Sequence, residues 1–283
     1  NIFGFTGTPI FFFFSVLATS NPKQIAKEFS NKKNVGKTTE QLFGDRLHTY
    51  NILDAIKDKN VLPFKYNEIK TFFAKENIKD EKVRAINTDN VWSTSSRIKN
   101  VTSYILDNFD SYTYRDKAYS FNKLSNISLI ANDKKNKLKQ ETSKINLKGF
   151  NAMFALADID LAKFYYSEFK KQLKERNNHD FKIALIYSYN PNEKLKDYDE
   201  EFIMDENNEN TEKLDQSSRE FLDNAINDYN EMFGVSYSSS SENFQSYYKD
   251  VSLRTKNKEI DLLIVVNMFL TGFDAPTLNT LFI

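Results

Sequence analysis

An uninterrupted apolar run from Leu262 to Val266 is the feature that most constrains the fold of this chain. The run contains only Leu, Ile and Val, so it lacks the alternation of a strand that has one face in water. Such a strand is typical of a parallel sheet covered by helices on both faces. Two further apolar runs, Ala152 to Leu156 and Lys182 to Tyr187, are predicted to be strands as well. The sequence therefore predicts an α/β fold with a mainly parallel sheet.

Helical periodicity fills the intervals between these strands. Asp158 is a good N-cap residue, and apolar residues recur at every fourth position after it. This spacing predicts a helix with one buried face. Two further helices are predicted at about 217–233 and 241–253, so the order along the chain alternates between strands and helices.

The first half of the chain has a weaker pattern. A helix is predicted after Ser93 or Thr94, because Ile98, Val101, Ile105 and Phe109 follow at intervals of three and four residues. A second helix is predicted over Gln41 to Ile56. The segment from Val61 to Phe64 is expected to be an extended strand, because the residue before a proline avoids the helical region.

Composition narrows the class of protein. With 283 residues, of which 40% are hydrophobic, the chain can bury a core. It has no cysteine, which excludes disulfides and thiolate metal sites and makes the cytoplasm the default location. The run from Ile10 to Leu17 is far shorter than the ~20 residues that cross a bilayer, so no membrane span is expected. Asn1 lies within a predicted buried strand, and we expect a piece truncated at both ends.

Charge is balanced overall but unevenly distributed. A formal net charge of zero argues against binding nucleic acid through bulk positive charge alone. The stretch from Arg115 to Lys148 nevertheless holds nine Lys or Arg against three acids, while Glu193 to Asp215 holds ten acids against three lysines. Both stretches can be solvated loops or helix faces. Alternatively, the basic stretch contacts duplex DNA and the acidic stretch binds a basic partner.

Several familiar catalytic patterns are excluded. Gly36-Lys37-Thr38 resembles the end of a P-loop, but position 31 is Asn31 rather than glycine and no buried strand precedes it. His48, in a predicted helix, and His179, in a polar turn, lack partners at metal-ligand or triad spacing. No metal site and no catalytic residue is therefore predicted within these residues.

Two glycine-containing segments each follow a predicted buried strand: Thr6-Gly7-Thr8-Pro9 and Thr271-Gly272-Phe273-Asp274. Ligands of open α/β sheets bind beyond the carboxyl ends of the strands, where glycine permits close approach and hydroxyl or N–H groups meet phosphate oxygens. Either segment alone is more typical of a tight structural turn. Together they resemble the third and fifth motifs of superfamily 2 helicases.

The sequence between these motifs narrows the resemblance to one family. The blocks that carry it are 38–44, 47–50, 54–56, 61–64, 150–155, 229–234 and 259–278. Over nearly its whole length the chain resembles the restriction (R) subunit of type I restriction-modification enzymes, in the region of the helicase-like motor.

This resemblance implies an architecture and an activity. Residues 149–283 would form most of a second RecA-like motor lobe, with a parallel sheet flanked by helices. Residues 1–148 would form the end of the first lobe and a mainly helical connection. The complete subunit would use ATP and Mg²⁺ to translocate duplex DNA before cleaving it, beside methylation and specificity subunits.

The resemblance also assigns residues by motif. Thr6, Gly7 and Thr8 would couple hydrolysis to DNA, Thr271 would hold a backbone phosphate, and Gly272 with Asp274 would approach the nucleotide. In the basic stretch, the candidate duplex contacts are Lys134, Lys135, Lys137 and Lys139. Phosphate contacts of this kind position a protein on DNA without reading its sequence.

Departures from the family pattern leave alternatives open. The P-loop, the acidic metal-holding motif, the sixth motif and the nuclease domain are outside this sequence, so these residues alone are expected to be inactive. The segment from Phe11 to Asn34 also differs from the family. The alternatives are another superfamily 2 DNA or RNA helicase, or a non-catalytic interaction module that uses the acidic stretch.

Overall fold

A computed structural model describes residues 48–61, 63, 65–69, 94–187, 215–266, 268–269 and 273–283. The chain divides into two compact units, Asn1–Ile69 and Lys70–Ile283. The predicted strand before Thr6, the motif Thr6 to Thr8 and the acidic residues 193–214 lie outside the described residues.

The described part of the first unit contains one short helix, α1 (Ile52–Lys57). Its start is fixed by a capping box: the Asn51 side chain accepts hydrogen bonds from the N–H groups of Leu53 and Asp54, and the Asp54 side chain accepts one from the Asn51 N–H.

Two expectations for this first unit are corrected. Residues 48–51 precede the helix rather than belonging to it, because the Asn51 cap begins the helix there, and exposed His48 is therefore not helical. Val61 and Pro63 do not belong to a strand: Val61 is exposed, and a proline has no N–H to give to a sheet. Leu62 and Phe64 lie outside the described residues.

The second unit contains most of the described structure. Its elements are α2 (Ser95–Tyr112), β1 (Ala118–Leu124), α3 (Ile127–Asn132), β2 (Thr142–Lys148), β3 (Asn151–Leu156), α4 (Ile159–Glu175), β4 (Ile183–Ile186), α5 (Gln216–Phe233), α6 (Ser241–Lys256), β5 (Leu262–Val266) and β6 (Leu278–Phe282).

The main sheet has four strands in the order β4, β5, β3, β6, and all neighbouring pairs are parallel. Every residue of β4 and β5 is buried. Because successive side chains of a strand point to opposite faces, both faces of these strands must be covered. The predicted α/β class with a mainly parallel sheet is confirmed, and the architecture is compatible with a RecA-like lobe.

The helices cover this sheet with aromatic side chains. α4 packs against β3 and β5, α5 packs against β4, and α2 packs against α4. In α4 the predicted series is confirmed, because Tyr165, Phe169 and Leu173 are buried. Phe154 of β3 meets the rings of both Tyr165 and Phe169 edge-on. The apolar core therefore forms between the sheet and these helices.

A second, two-stranded sheet interrupts the region that the sequence predicts to be a mainly helical connection. β1 and β2 pair antiparallel along their full length, and α3 lies in the chain between them. We call this pair of strands the ribbon. The described residues 94–148 thus combine one long helix, one short helix and the ribbon, so a mainly helical connection is not confirmed.

In the described part of the chain, none of the helices combines the length and apolar character needed to cross a lipid bilayer. His, Cys, Asp and Glu of the same residues do not gather in groups of three that could hold a metal ion. His179 lies in an exposed loop, as expected.

Candidate functional site

The carboxyl ends of β3 and β5 meet at one edge of the sheet. The two strands are neighbours, and Leu156 pairs with Val266 at their last residues. The chain after β3 reaches Asp158, and the chain after β5 reaches Phe269 and Asp274. In parallel α/β sheets this edge is where ligands bind. Phe273 and Asp274, the described residues of the fifth-motif segment, follow the buried strand β5 in the chain.

Phe269 anchors the segment after β5. It is a non-glycine residue with φ of 59° and is only 8% exposed. Its ring stacks on Tyr248 of α6 at 4.6 Å, with an interplanar angle of 17°, and also contacts Phe273 at 4.6 Å. A left-handed conformation at a bulky residue is strained, so the surrounding contacts must hold it there.

α6 holds the far side of the same segment. The buried Thr277 hydroxyl donates to the carbonyl oxygens of Thr255 and Lys256, at 2.9 and 3.1 Å. The Lys256 ammonium lies 5.2 Å from the centre of the Phe273 ring, a favourable cation–π distance. Asp274 is exposed between these anchors, where a ligand can reach it. Thr271 and Gly272 lie outside the described residues.

Carboxylates cap the starts of two helices, α4 and α5. Asp158 caps α4 by accepting from the Leu161 N–H at 2.7 Å, and Asp215 caps α5 through the Ser218 N–H at 2.9 Å. Hydrogen bonds from the Ser218 hydroxyl and N–H lower the pKa of Asp215. These caps satisfy N–H groups that would otherwise attract an anion. The starts of α4 and α5 are therefore poor candidates for binding a phosphate.

The tyrosine that follows β4 is buried beside the same acidic groups. Tyr187 donates its hydroxyl proton to the Ser218 carbonyl at 2.6 Å. Burial raises the pKa of Tyr187 well above its ordinary value, and the negative charges of Asp215, Asp160 and Asp223 raise it further. Tyr187 therefore stays neutral and serves as a structural hydrogen-bond donor rather than as an acid or base.

The four predicted lysines lie together on one loop, residues 133–139, which we call the lysine loop. Lys134, Lys135, Lys137 and Lys139 are all exposed. The Asp133 carboxylate organises the loop by accepting from the N–H groups of Lys135, at 3.0 Å, and Leu138, at 2.6 Å. These backbone hydrogen bonds, that of Leu138 foremost, lower the pKa of Asp133.

Two neighbouring side chains fix the position of the lysine loop. Asn126 donates to the Lys139 carbonyl at 2.9 Å and accepts from the Glu141 N–H at 3.1 Å. Lys249 of α6 donates to the Asn136 side-chain oxygen at 2.9 Å. The four lysines therefore extend from a backbone that is already held in place. The lysine loop and Asp274 belong to different elements of the second unit.

A buried polar network, which the sequence analysis missed, joins the ribbon and α3 to α6. Asp250 is fully buried and accepts hydrogen bonds from Tyr229, Tyr237 and Arg254. Arg254 also donates to Ser128 of α3 at 2.8 Å and pairs with Glu259. An acid and an arginine four residues apart on a predicted helix were the available signal.

Asn257, just after α6, ties down the end of β1. It accepts from the Leu124 N–H at 3.0 Å and donates to the Leu124 carbonyl at 2.7 Å. Lys123 pairs with Glu259 at 2.9 Å beside it. The elements that carry the lysine loop are therefore fixed to the same helix that anchors Phe269 and Thr277.

Comparison with known families first defines the class of protein. Residues 1–96 match the SWI2/SNF2 ATPase family. Residues 148–283 match domain 3 of the type I restriction enzyme subunit R. The two matches define the class as subunit R of type I restriction enzymes, in a region that begins with a match to the SWI2/SNF2 ATPase family.

Individual relatives agree with both matches. The chain is 34% identical over 285 aligned residues to an endonuclease subunit of a type I restriction enzyme from Staphylococcus aureus strain COL, covering 99% of this chain and 24% of the relative. It is 35% identical over 287 aligned residues to the corresponding subunit of Staphylococcus saprophyticus, with the same coverage. The chain spans about a quarter of the length of these curated relatives, and it belongs to the family of type I restriction enzyme R subunits.

Proposed function

We propose that this chain is part of the ATP-driven motor with which a type I restriction endonuclease subunit translocates duplex DNA before cleavage. The observation that carries the proposal is the order of the two family matches, an ATPase family followed by an R-subunit domain. In the second match, the fifth-motif segment follows β5 of a parallel sheet, and ligands of such sheets bind beyond the carboxyl ends of the strands, which supports the proposal.

The residue roles within this motor follow the motif assignments. Asp274 and Gly272 approach the nucleotide, Thr271 holds a DNA phosphate, and Thr6 to Thr8 couple the two events. The exposure of Asp274 between the Phe273 and Thr277 anchors supports a ligand-facing role. Hydrogen bonds from hydroxyls to phosphate oxygens carry no base information, as a translocase requires.

ATP and Mg²⁺ are the proposed cofactors of the complete subunit. Among the described residues, Asp274 is the one that belongs to the proposed nucleotide contacts, and its carboxylate suits a sugar hydroxyl or a hydrated cation. These 283 residues contain no P-loop pattern, so P-loop contacts to the phosphates would come from another part of the subunit. Alone, these residues are expected to hydrolyse no ATP and to cut no DNA.

The lysine loop is the proposed duplex contact. Its lysines are exposed on a backbone that Asp133 and Asn126 hold in place, which limits the entropy lost when DNA binds. The proposed protein partners are the methylation and specificity subunits of the restriction-modification complex, and target recognition would belong to the latter. Residues 1–148 and 149–283 would belong to successive parts of the motor, as the sequence predicts.

ATP turnover by the complete subunit with its partners, with and without duplex DNA, tests this function. We expect DNA to raise wild-type turnover, and Thr271→Ala and Asp274→Ala each to remove that rise. Glu231→Ala, which removes an exposed carboxylate on α5, is the matched control and should keep it. Turnover that ignores DNA, or motif variants that behave like wild type, would contradict the proposal.

A further inference from the structure

The two faces of the ribbon differ in character. On one face, Tyr119 and Phe121 of β1 lie opposite Leu147 and Ile145 of β2, and all four are partly buried. The Tyr119 ring stacks on Phe150 at 4.8 Å, and its hydroxyl donates to the Gly149 carbonyl. This face packs inward, so the alternate residues of both strands point outward as far as the pair of Leu124 with Thr142, where Leu124 is buried.

The outward face is polar and cationic, and its members are Ser120, Asn122, Lys144, Asn146 and Lys148. All five side chains are exposed, and the strand pairing sets Asn122 opposite Lys144 and Ser120 opposite Asn146. We call these residues the outward ribbon face. It contains no acid and no large apolar side chain. Within the described ranges, neither Lys144 nor Lys148 forms an ion pair.

The chemistry of this face fits a phosphate backbone better than a protein partner. Protein interfaces concentrate aromatic residues and are depleted of lysine, whereas lysine, asparagine and serine are common donors to DNA phosphates. At ~3.3 Å per residue, Lys144 and Lys148 lie about 13 Å apart along β2. That length equals the axial rise of roughly four phosphates of one DNA strand.

We infer that the outward ribbon face is a second contact for duplex DNA, in which Lys144 and Lys148 bind phosphates of the backbone. This inference rests on the proposed function, because it names a further surface of the motor that contacts the DNA being translocated. The lysine loop leads directly into β2, so its lysines and those of the outward ribbon face lie on one continuous segment of the chain. The contact is independent of base sequence.

The salt dependence of the KM for duplex DNA, measured through DNA-stimulated ATP turnover by the complete enzyme, tests the inference. Each lysine that binds a DNA phosphate contributes ~0.9 to the slope of log affinity against log salt, and removing its charge removes that contribution. We expect Lys144→Gln/Lys148→Gln to raise the KM and to flatten the slope by about 1.8. Lys174→Gln, which removes an exposed charge on α4, should leave both quantities unchanged.

A gain of charge separates DNA contact from loss of folding. Asn146→Lys adds a cation between the two lysines, so we expect a lower KM and a slope steeper by about 0.9. Asn178→Lys adds the same charge in an exposed loop after α4 and should change neither. A wild-type slope in both ribbon variants, with DNA stimulation intact, would overturn the inference alone. Wild-type turnover that ignores DNA would overturn the proposed function and this inference with it.

Discussion

At the scale of single residues, the buried Asp250 and Arg254 side chains are held by specific protein partners. The Arg254 and Asp250 side chains are 11% and 0% exposed, and the pair connects α5, α6 and α3. Burial alone would lower the pKa of Arg254, but the charge and hydrogen bond of Asp250 raise it. Removing one partner of such a pair leaves the other charge unpaired in the interior.

Arg254→Met therefore should destabilise α6 strongly. We expect a loss of about 3–5 kcal/mol, because the buried Asp250 carboxylate would lose the cation that pairs with it. Hydrogen exchange of the α6 amides measures the loss. Arg176→Met removes a cation from the exposed pair with Asp107 and should cost at most about 1 kcal/mol.

A double variant makes the cause of this loss explicit. Asp250→Asn/Arg254→Met removes both charges but keeps a side-chain oxygen that can accept from Tyr229 and Tyr237, so it should recover part of the lost stability. If the double variant were less stable than Arg254→Met, the packing of the side chains rather than their charges would determine the stability of α6.

At the scale of elements, the junction between the ribbon and β3 depends on one glycine. Gly149 has φ of +65°, and a Cβ placed there would lie 2.8 Å from the Arg115 Cα and 3.1 Å from the Thr113 carbonyl oxygen. Its N–H donates to the Lys117 carbonyl at 2.7 Å, and the Phe150 N–H donates to Thr113 at the same distance. The chain therefore turns from β2 into β3 in close contact with the end of α2.

Gly149→Ala should destabilise this junction more than the same change at a matched position. Gly234, after α5, also has φ of +65°, but a Cβ there would meet nothing within 4 Å. Gly234→Ala should cost about 1–2 kcal/mol, the left-handed penalty alone. Gly149→Ala adds a backbone clash and should cost more, as measured by hydrogen exchange in β1 and β3. Equal losses at both sites would contradict the steric argument.

At the scale of the whole described structure, buried tyrosines link its stability to pH. Among the described residues, burial is the main cause that raises the pKa of seven tyrosines, and in five of them nearby carboxylates such as Asp250 raise it further. These five are Tyr166, Tyr187, Tyr229, Tyr237 and Tyr247. A raised pKa in the folded state favours folding fully below the unfolded pKa of about 10, and this contribution is lost as pH rises further.

We therefore expect the free energy of unfolding to fall above pH ~10, by about 1.4 kcal/mol per pH unit for each of these tyrosines. Tyrosinate absorbance and far-ultraviolet circular dichroism, recorded together on this chain, check the expectation. The buried set should ionise only as helical signal disappears. Ionisation of all 15 tyrosines near pH 10 with the helical signal unchanged would contradict it.

Local sequence determined the elements whose signal is complete within a few residues. The run from Leu262 to Val266 predicts a strand buried on both faces, and the Asp158 cap with its four-residue repeat predicts α4; both are confirmed. The site residues that the sequence assigns at Thr6, Gly7, Thr8, Thr271, Gly272 and Asp274, and on the lysine loop, stay predictions about function. Their roles depend on ligands rather than on the local pattern.

The ribbon, β6 and the hydrogen-bond network around Asp250 could be identified only from the tertiary structure. β1 and β6 mix polar and apolar residues instead of forming an uninterrupted apolar run, and each pairs with a strand that lies outside its own local segment. Asn257 binds Leu124 from 133 positions away, a contact that no local window contains. Strand pairing and burial depend on residues that are distant in the chain and come together only in the folded structure. Helix caps and apolar periodicity depend on neighbouring residues, so they can be predicted from local sequence.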